Sequence, residues 1–282
     1  MKGDNAKKLK KTKTIISIIA WVIALTAVWQ FTGKTITEGR TLAYISGARQ
    51  TLIAHRGFSA LYPQNTVPAF IAAAENGFDG YEFDVHTTKD GVWVVIHNDD
   101  IDAMTNGTGN VADYTYEELM RFNIDAGNGI ENYPDLKIPT LEEALSVCDE
   151  YDIFPVIEIK SCDSSYFPGL LAGIYSHSLQ DKAIIISFTM EYLEEIRALD
   201  GNIEMSYLSS KLTRDDVDKC VSLGNCGIDI NIYKFFKMTG AIKYAQDKGL
   251  KCVSWTIDHP LFADISHWIG IDNITTNRIR HK

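Results

Sequence analysis

The chain has 282 residues and a mass of 31.6 kDa, a length that suits a single large α/β domain and excludes miniproteins and repeat arrays. Hydrophobic residues make up 45% of the sequence and charged residues 23%, which excludes disordered and collagen-like chains. Residues 1–13 carry six lysines and one aspartate, so the rest of the chain has a formal net charge of −15, compared with −10 for the whole. This acidic body argues against a nucleic-acid partner, whose phosphates require clustered Lys and Arg.

The N-terminal region predicts a membrane anchor. Residues 14–33 contain no charge and are mostly apolar, about the length that a helix needs to cross a bilayer. The preceding lysines predict a basic cytoplasmic tail over residues 1–13, so the chain beyond residue 33 is expected outside the cytoplasm. A cleaved signal peptide, followed by secretion, is the alternative, but Leu25 stands where a small residue is preferred before a cleavage site near Ala27. We therefore expect a single-pass protein of the cell membrane, with residues 34–50 as a linker.

From residue 51 the sequence alternates short β-rich runs with helical stretches, which is the pattern of a parallel α/β fold. Eight runs are predicted as strands, namely residues 51–54, 80–85, 154–160, 183–188, 204–208, 227–231, 251–257 and 273–276. Their spacing favours a (β/α)8 TIM barrel over residues 51–282. A ninth run, residues 92–97, follows the second after too short a loop for a parallel crossover, so it predicts a hairpin. Residues 98–139 are expected to form a small insertion.

Alternation of side chains brings charged residues to one end of this barrel. On the second strand Glu82 and Asp84 are predicted to point inward, and on the third Glu158 and Lys160 do so as well. All four lie near the C-terminal ends of their strands. Catalytic residues of barrel enzymes lie at this end.

Two histidines are predicted at the same mouth. His55 closes the first strand. Asp90-Gly91 predicts a two-residue hairpin turn, which pairs positions whose numbers sum to 181 and so places His97 opposite Asp84. Imidazoles titrate near neutral pH, which suits general acid and base roles.

The carboxylates Glu82, Asp84 and Glu158 offer hard oxygen ligands and predict a divalent metal, Mg²⁺ or Ca²⁺. An ion-pair network around Lys160 is the alternative, although one lysine cannot neutralise three buried carboxylates. Together with Arg56 behind the first strand, this set indicates phosphoryl transfer.

Aromatic residues follow two later strands. Trp255 is predicted to form an apolar wall for the substrate, with core packing as the alternative. Tyr233, Phe235 and Phe236 form an aromatic cluster for which packing in the core or rim is expected and contact with an acyl or head group is the alternative.

These residues belong to motifs spread over the whole of residues 51–282, which are His55-Arg56-Gly57, Pro63-Gln64-Asn65-Thr66, Glu82-x-Asp84-Val85, Thr88-x-Asp90-Gly91, His97, Thr105-Asn106-Gly107-Thr108-Gly109, Ile138-Pro139-Thr140-Leu141-Glu142-Glu143, Glu158-x-Lys160 and Trp255-Thr256. In order and spacing they resemble the glycerophosphodiester phosphodiesterases. The resemblance implies a metal-dependent barrel enzyme that hydrolyses glycerophosphodiesters, soluble or lipid-derived, to an alcohol and glycerol 3-phosphate. It implies roles for seven residues: His55 and His97 as the acid–base pair, Glu82, Asp84 and Glu158 as metal ligands, and Arg56 and Lys160 as phosphate contacts.

Three positions depart from the family's usual pattern, because Gln64, Asn98 and Asn277 carry an amide where a carboxylate is usual. We expect activity to survive with weaker metal affinity or lower histidine pKa values. A barrel glycosidase using Glu82 and Glu158 and a barrel that binds phosphorylated ligands without turnover are the alternatives.

Overall fold

The computed structural model describes residues 42–45 and 50–281. The predicted basic tail and transmembrane segment lie outside the described residues, as does most of the predicted linker. Within the described part of the chain, no helix combines the length and the apolar character that crossing a membrane requires.

Eleven strands are present in the described ranges: β1 (Ala43–Ile45), β2 (Thr51–His55), β3 (Gly80–Thr87), β4 (Trp93–Val95), β5 (Phe154–Ile159), β6 (Ile184–Ser187), β7 (Glu204–Ser209), β8 (Cys226–Asn231), β9 (Cys252–Trp255), β10 (Asn273–Thr276) and β11 (Ile279–His281). Eight of them form a parallel sheet in the order β2-β10-β9-β8-β7-β6-β5-β3, and β2 also pairs with β3, so the sheet closes into a barrel. This confirms the predicted barrel and its eight strands.

Helices follow the strands and cover the outside of the barrel. They are α1 (Val67–Glu75), α2 (Tyr116–Leu119), α3 (Leu141–Tyr151), α4 (Phe167–Ser176), α5 (Met190–Leu199), α6 (Arg214–Leu223), α7 (Thr239–Asp247) and α8 (Pro260–Trp268). Several begin at side-chain caps that the sequence makes visible. Thr140, for example, caps α3 in a capping box with Glu143.

The predicted alternation of β3 and β5 is confirmed. Tyr81 and Phe83 face the helices, where Tyr81 stacks on Phe70 with ring centroids 4.6 Å apart and donates a hydrogen bond to the carbonyl of Ala144. The opposite side of the sheet forms a separate apolar layer inside the barrel, made by Ile53, Val156, Ile186 and Leu208. Glu82, Asp84 and Glu158 therefore point into the barrel.

The hairpin is confirmed, but its predicted register is wrong by one residue. Val85 pairs with Val95 and Thr87 with Trp93, so paired positions sum to 180. The turn contains three residues instead of two, because the Gly91 amide donates to the carbonyl of Thr88 and Gly91 takes a left-handed φ of +80°. Ile96 thus stands opposite Asp84, and His97 lies one position further along the chain.

Residues between β4 and α3 form the predicted insertion. They have a small apolar core of their own, built from Ile101, Val111, Leu119, Ile124 and Ile138 with Val94 and Ile96 of the hairpin. At the other edge of the molecule β1, within the range predicted as linker, pairs in parallel with β11 to form a two-stranded sheet.

Candidate active site

Three carboxylates meet at the C-terminal mouth of the barrel. Asp84 on β3 is in register with Glu158 on β5, and Glu82 lies two residues earlier on the same face of β3. One ligand atom from each of the three residues lies within 4.8 Å of the others. Asp84 is fully buried and Glu82 is only 2% exposed. The structure therefore brings together the predicted metal ligands.

Two of these carboxylates have oxygens without a hydrogen-bond partner. Glu82 Oε2 accepts from the Arg56 amide at 2.9 Å, whereas Glu82 Oε1 and Asp84 Oδ1 are buried and have no hydrogen-bond donor among the described residues. Burial, followed by the charges of Asp84 and Glu158, raises the pKa of Glu82 well above its ordinary value. Burial and Asp84 raise the pKa of Glu158 to about 7. Uncompensated buried oxygens of this kind fit a site for a hard divalent cation.

Two cationic side chains reach the cluster without neutralising it. Lys160 Nζ lies 2.8 Å from Glu158 Oε1 and 3.7 Å from Asp84 Oδ1. Arg56 Nε lies 3.3 Å from Asp84 Oδ2. Burial would raise the pKa of Asp84, but these charges and that of His97 outweigh it and lower the pKa. Asp84 is therefore the carboxylate that stays ionised.

The loop after β2 carries Arg56 in a left-handed conformation, with a φ of 57°. Asn65, before α1, has a φ of 56°. Its side chain forms two hydrogen bonds with Asp84: Asn65 Nδ2 donates to Asp84 Oδ2 at 2.8 Å, and the Asp84 backbone amide donates to Asn65 Oδ1 at 3.2 Å. Positive φ is uncommon for residues other than glycine, and asparagine is among those that tolerate it best. Asn65 thus fixes the Asp84 carboxylate and was missed as a site residue, although it stands in the Pro63-Gln64-Asn65-Thr66 motif.

His55 is held by a chain of polar groups from the other side of the mouth. Its Nδ1 donates to Asn277 Oδ1 at 2.8 Å, and Asn277 Nδ2 donates to Asp258 Oδ2 at 2.6 Å. Because Asp258 fixes which end of the amide faces the histidine, the imidazole proton is on Nδ1 and the lone pair is on Nε2. That Nε2 lies 3.9 Å from Glu82 Oε2. Burial, and next the charge of Arg56, lower the pKa of His55 to about 4, so the ring is neutral at neutral pH.

The amide at Asn277 affects the pKa of His55 less than burial does. Its hydrogen bond raises the pKa of His55, and burial is the main cause of the lowered value. The expected effect of an amide relative to a carboxylate at this position stays a prediction. Asp258 follows β9, which only β10 separates from the His55 strand β2 in the sheet, and it gave no signal in the sequence.

His97 reaches the cluster despite the shifted register. It follows β4, its Nδ1 donates to Asn98 Oδ1 at 2.7 Å, and it lines a small cleft with Gln64 and Asn65. Its pKa is lowered by burial, against a raising effect from Asp84. Gln64 Oε1 accepts from Arg56 at 2.7 Å, so the amide at this position orients the guanidinium.

The far wall of the mouth is apolar. Trp255 at the end of β9 is half-buried and meets Phe188, which follows β6, edge to face with ring centroids 5.6 Å apart. Since β7 and β8 separate β6 from β9 in the sheet, this contact spans part of the barrel top. Beneath it lies Asp229 on β8, 2% exposed, whose pKa is raised by burial and then by Glu158. The sequence reasoning missed Asp229, although alternation along β8 would have turned it inward with Gly227 and Asn231.

Comparison with known proteins supports the assignment suggested by these residues. The model of the glycerophosphoryl diester phosphodiesterase family matches residues 55–281. A glycerophosphodiester phosphodiesterase of Caldanaerobacter subterraneus subsp. tengcongensis is 32% identical over 231 residues, which cover 80% of this chain and 93% of that relative.

Solved structures agree. The structure of an Oleispira antarctica phosphodiesterase in complex with the product sn-glycerol-3-phosphate has a TM-score of 0.74 and 25% identity, and covers 80% of this chain and 92% of that chain. A glycerophosphodiester phosphodiesterase from Parabacteroides distasonis has a TM-score of 0.70 and 28% identity, covering 82% and 94%. Because the family match includes most of the barrel and all three carboxylates, the chain belongs to the glycerophosphoryl diester phosphodiesterase family and is a phosphoric diester hydrolase.

Proposed function

We propose that the protein hydrolyses glycerophosphodiesters to an alcohol and glycerol 3-phosphate in a metal-dependent reaction with two catalytic histidines. The observation that carries the proposal is the buried cluster of Glu82, Asp84 and Glu158, whose ligand atoms converge and whose oxygens include two without hydrogen bonds. The product bound in the Oleispira antarctica relative supports the choice of substrate class.

Glu82, Asp84 and Glu158 would hold the metal, with Mg²⁺ and Ca²⁺ as the candidates that suit carboxylate oxygens. When bound, the cation supplies positive charge that stabilises negative charge on the phosphoryl oxygens. Arg56 and Lys160, at the edge of the cluster, provide the further charge that orients the phosphodiester. Trp255 provides an apolar wall beside it.

His55 is suited to accept the proton of the attacking hydroxyl. Its Nδ1 proton is held by Asn277, so the lone pair on Nε2 faces the cluster. His97 would act in its protonated form, which the charge of Asp84 favours: with Nδ1–H held by Asn98, it gives its Nε2 proton to the oxygen of the leaving alcohol. In each displacement one P–O bond forms and one breaks, the attacking oxygen loses a proton to His55, and the departing oxygen gains one from His97. Attack by water gives glycerol 3-phosphate directly, whereas attack by the substrate's own glycerol hydroxyl gives a cyclic phosphate that water opens in a second displacement.

The most direct test of the activity is a panel of glycerophosphodiesters assayed with the full chain, with and without EDTA. We expect release of glycerol 3-phosphate that stops with the chelator and returns with Mg²⁺ or Ca²⁺. Release of an alcohol-linked phosphate instead, or no turnover of any member, would contradict the substrate assignment. Lys160→Gln should raise KM for the diester more than it lowers kcat.

We also propose that residues 14–33 anchor the protein in the cell membrane with the barrel outside the cytoplasm. The support is the charge-free segment behind six lysines. A reporter that is active only outside the cytoplasm, fused after Lys282, should be active. Activity of a cytoplasmic reporter at the same site would refute this topology.

A further inference from the structure

A short 3₁₀ helix at the catalytic mouth exposes aromatic side chains to solvent. This rim segment, Ile232–Lys237, follows β8 directly and so lies at the same end of the barrel as the carboxylate cluster. The inner side of the rim segment packs against the barrel, since Ile232 is 4% exposed and Phe235 contacts the core. On its outer side Tyr233 is 48% exposed and Phe236 is 75% exposed. Packing of the barrel therefore does not account for these two rings.

Neighbouring elements extend this apolar surface along the rim. Tyr233 meets Phe262 of α8 edge to face, with ring centroids 5.0 Å apart. The residue before Phe262, Leu261, is 37% exposed. Phe188, which follows β6 at the same end of the barrel, is a separate exposed ring at 46%. Contiguous exposed apolar groups are uncommon on soluble proteins and mark surfaces that contact something else.

The charge of the rim segment is opposite to that of the rest of the chain. The rim segment contains two lysines and no acidic residue, in a chain whose formal net charge is −10. Lys234 and Lys237 alternate with the exposed rings, and neither forms an ion pair with another described residue. Exposed aromatic rings beside unpaired lysines are typical of segments that lie in the interface of an anionic membrane.

We propose that the rim segment binds the surface of an anionic phospholipid bilayer, with Tyr233 and Phe236 entering the headgroup region and Lys234 and Lys237 contacting lipid phosphates. The carboxylate cluster then faces the bilayer, where lipid-derived diesters are found. Binding of this kind needs neither turnover nor a metal, so it stands independently of the proposed reaction.

The barrel can be tested apart from the predicted anchor. Leu42–Lys282 forms a compact unit of its own, and the solved relatives show that barrels matching this part of the chain fold as separate proteins. We would measure co-sedimentation of this unit with phosphatidylcholine vesicles that contain or lack phosphatidylserine, without substrate and without added metal.

The aromatic test compares two ends of the molecule. The double variant Tyr233→Ser and Phe236→Ser should bind phosphatidylserine vesicles at least about a hundredfold more weakly, about tenfold for each ring removed. Trp268→Ser is the matched control, because Trp268 is 87% exposed but ends α8, on the side away from the mouth. It should bind like the wild type. Both variants should remain folded at the assay temperature, which thermal unfolding checks, since Phe236 and Trp268 are mostly exposed and Tyr233 is about half-exposed.

The charge test uses lysines that differ in position. Lys234→Gln and Lys237→Gln should each weaken binding to anionic vesicles about fivefold and leave the weak binding to neutral vesicles unchanged. Lys243→Gln removes the same charge from α7, where Lys243 pairs with Asp247 at 3.0 Å, and should have little effect.

Three results would overturn the proposal. The first is a wild-type unit that does not sediment with phosphatidylserine vesicles. The second is an equal loss of binding in the Trp268 control and the rim variant. The third is a dimer of the wild-type unit that the rim variant converts to monomers while vesicle binding is unaffected, which would make the rim a contact between copies.

Discussion

The two ends of the barrel both carry acidic and basic side chains, but they handle charge differently. At the N-terminal end the acids pair one to one with lysines: Glu204 lies 2.6 Å from Lys251, and Asp152 pairs with Lys182. Three of these four side chains are about half or more exposed to water, and Glu204 is partly exposed. At the C-terminal end Glu82, Asp84 and Glu158 are crowded together and buried, and two of their oxygens have no hydrogen-bond partner.

The larger of two cavities in the described part of the chain lies at the end of the barrel opposite the carboxylate cluster. A cavity of about 510 Å³ lies at the N-terminal end, bordered by Asp79, Glu204 and Lys251 among others, whereas the cleft beside His97 has about 10 Å³. The charged borders of the larger cavity include the ion pairs Glu204–Lys251 and Asp152–Lys182, and the one buried side-chain atom without a hydrogen-bond partner among its described lining residues is the neutral hydroxyl of Ser206. Uncompensated charge therefore locates the functional end of this barrel better than cavity size.

The largest expected difference between the two ends concerns the histidines. Replacing His55 or His97 with Ala should lower kcat on the order of 10²- to 10⁴-fold, with KM changed little, because each transfers a proton in the bond-breaking step. The double variant should lose less than the product of the two single losses.

The control for this prediction is His177→Ala. His177 ends α4, on the side of the barrel away from the mouth, and pairs with Glu142 at 2.8 Å. Its kcat should match the wild type. Near-normal kcat in both mouth variants would mean that His55 and His97 are structural.

A smaller effect is expected at Asn277, which touches His55 but not the carboxylates. Asn277→Ala removes the acceptor that keeps the proton on Nδ1, so kcat should fall about tenfold to a hundredfold, as for the loss of an orienting partner. Asn277→Asp retains an acceptor and adds a negative charge. It should keep activity, and because the charge raises the pKa of His55, the acidic limb of the pH–rate profile should move to higher pH. An unchanged pH–rate profile in both variants would contradict the proposal that Asn277 positions the His55 proton.

The effect of a Glu→Gln substitution on thermal stability should differ between the two ends of the barrel. Because the pKa of Glu82 is raised in the folded protein, this group stabilises the metal-free fold only below its unfolded value of 4.5 and costs stability as the pH rises above it. Glu82→Gln should therefore raise the Tm of the EDTA-treated protein by about 2–4 °C at pH 7 and by less at pH 5. Activity should be lost despite the gain.

Glu204→Gln is the matched substitution at the N-terminal end. It breaks an ion pair in which Lys251 is 62% exposed, so we expect a loss of less than about 1 kcal/mol and full activity. A drop in Tm for Glu82→Gln, measured by the same thermal scan, would show that the Glu82 carboxylate is compensated in the fold.

Much of the barrel and of its site could be predicted because both follow local rules. Alternation along β3 and β5 fixes the directions of Glu82, Asp84 and Glu158 from the strand assignment alone. The predicted hairpin register is wrong because the Asp90-Gly91 pair is compatible with loops of two or three residues. A two-residue type I′ turn would need a positive φ at both residues, and of the two only Gly91 has one. The insertion and α1 place His97 and Asn65 near Asp84 through tertiary contacts.

Other parts of the site depend on contacts between segments that are distant in the chain. The pair of Asn277 and Asp258 meets His55 only once β10 lies beside β2 and the loop after β9 packs against it. Asp229 is on a strand whose alternation is visible in the sequence, but a single aspartate in a β run carries no signal until its neighbours inside the barrel are known.

A metal titration tests the central claim, that the crowded carboxylates are a metal site and the seat of catalysis. Protein stripped with EDTA should be inactive. Titration with Mg²⁺ or Ca²⁺ should release heat of binding up to about one equivalent and should restore turnover. Because the pKa of Glu158 is raised to about 7, protons compete with the metal, so the apparent affinity should be tighter at pH 8 than at pH 6. Glu158→Gln should bind no metal, whereas Glu204→Gln should bind as the wild type does. Full turnover by the stripped protein, or equal metal binding by both variants, would contradict the account.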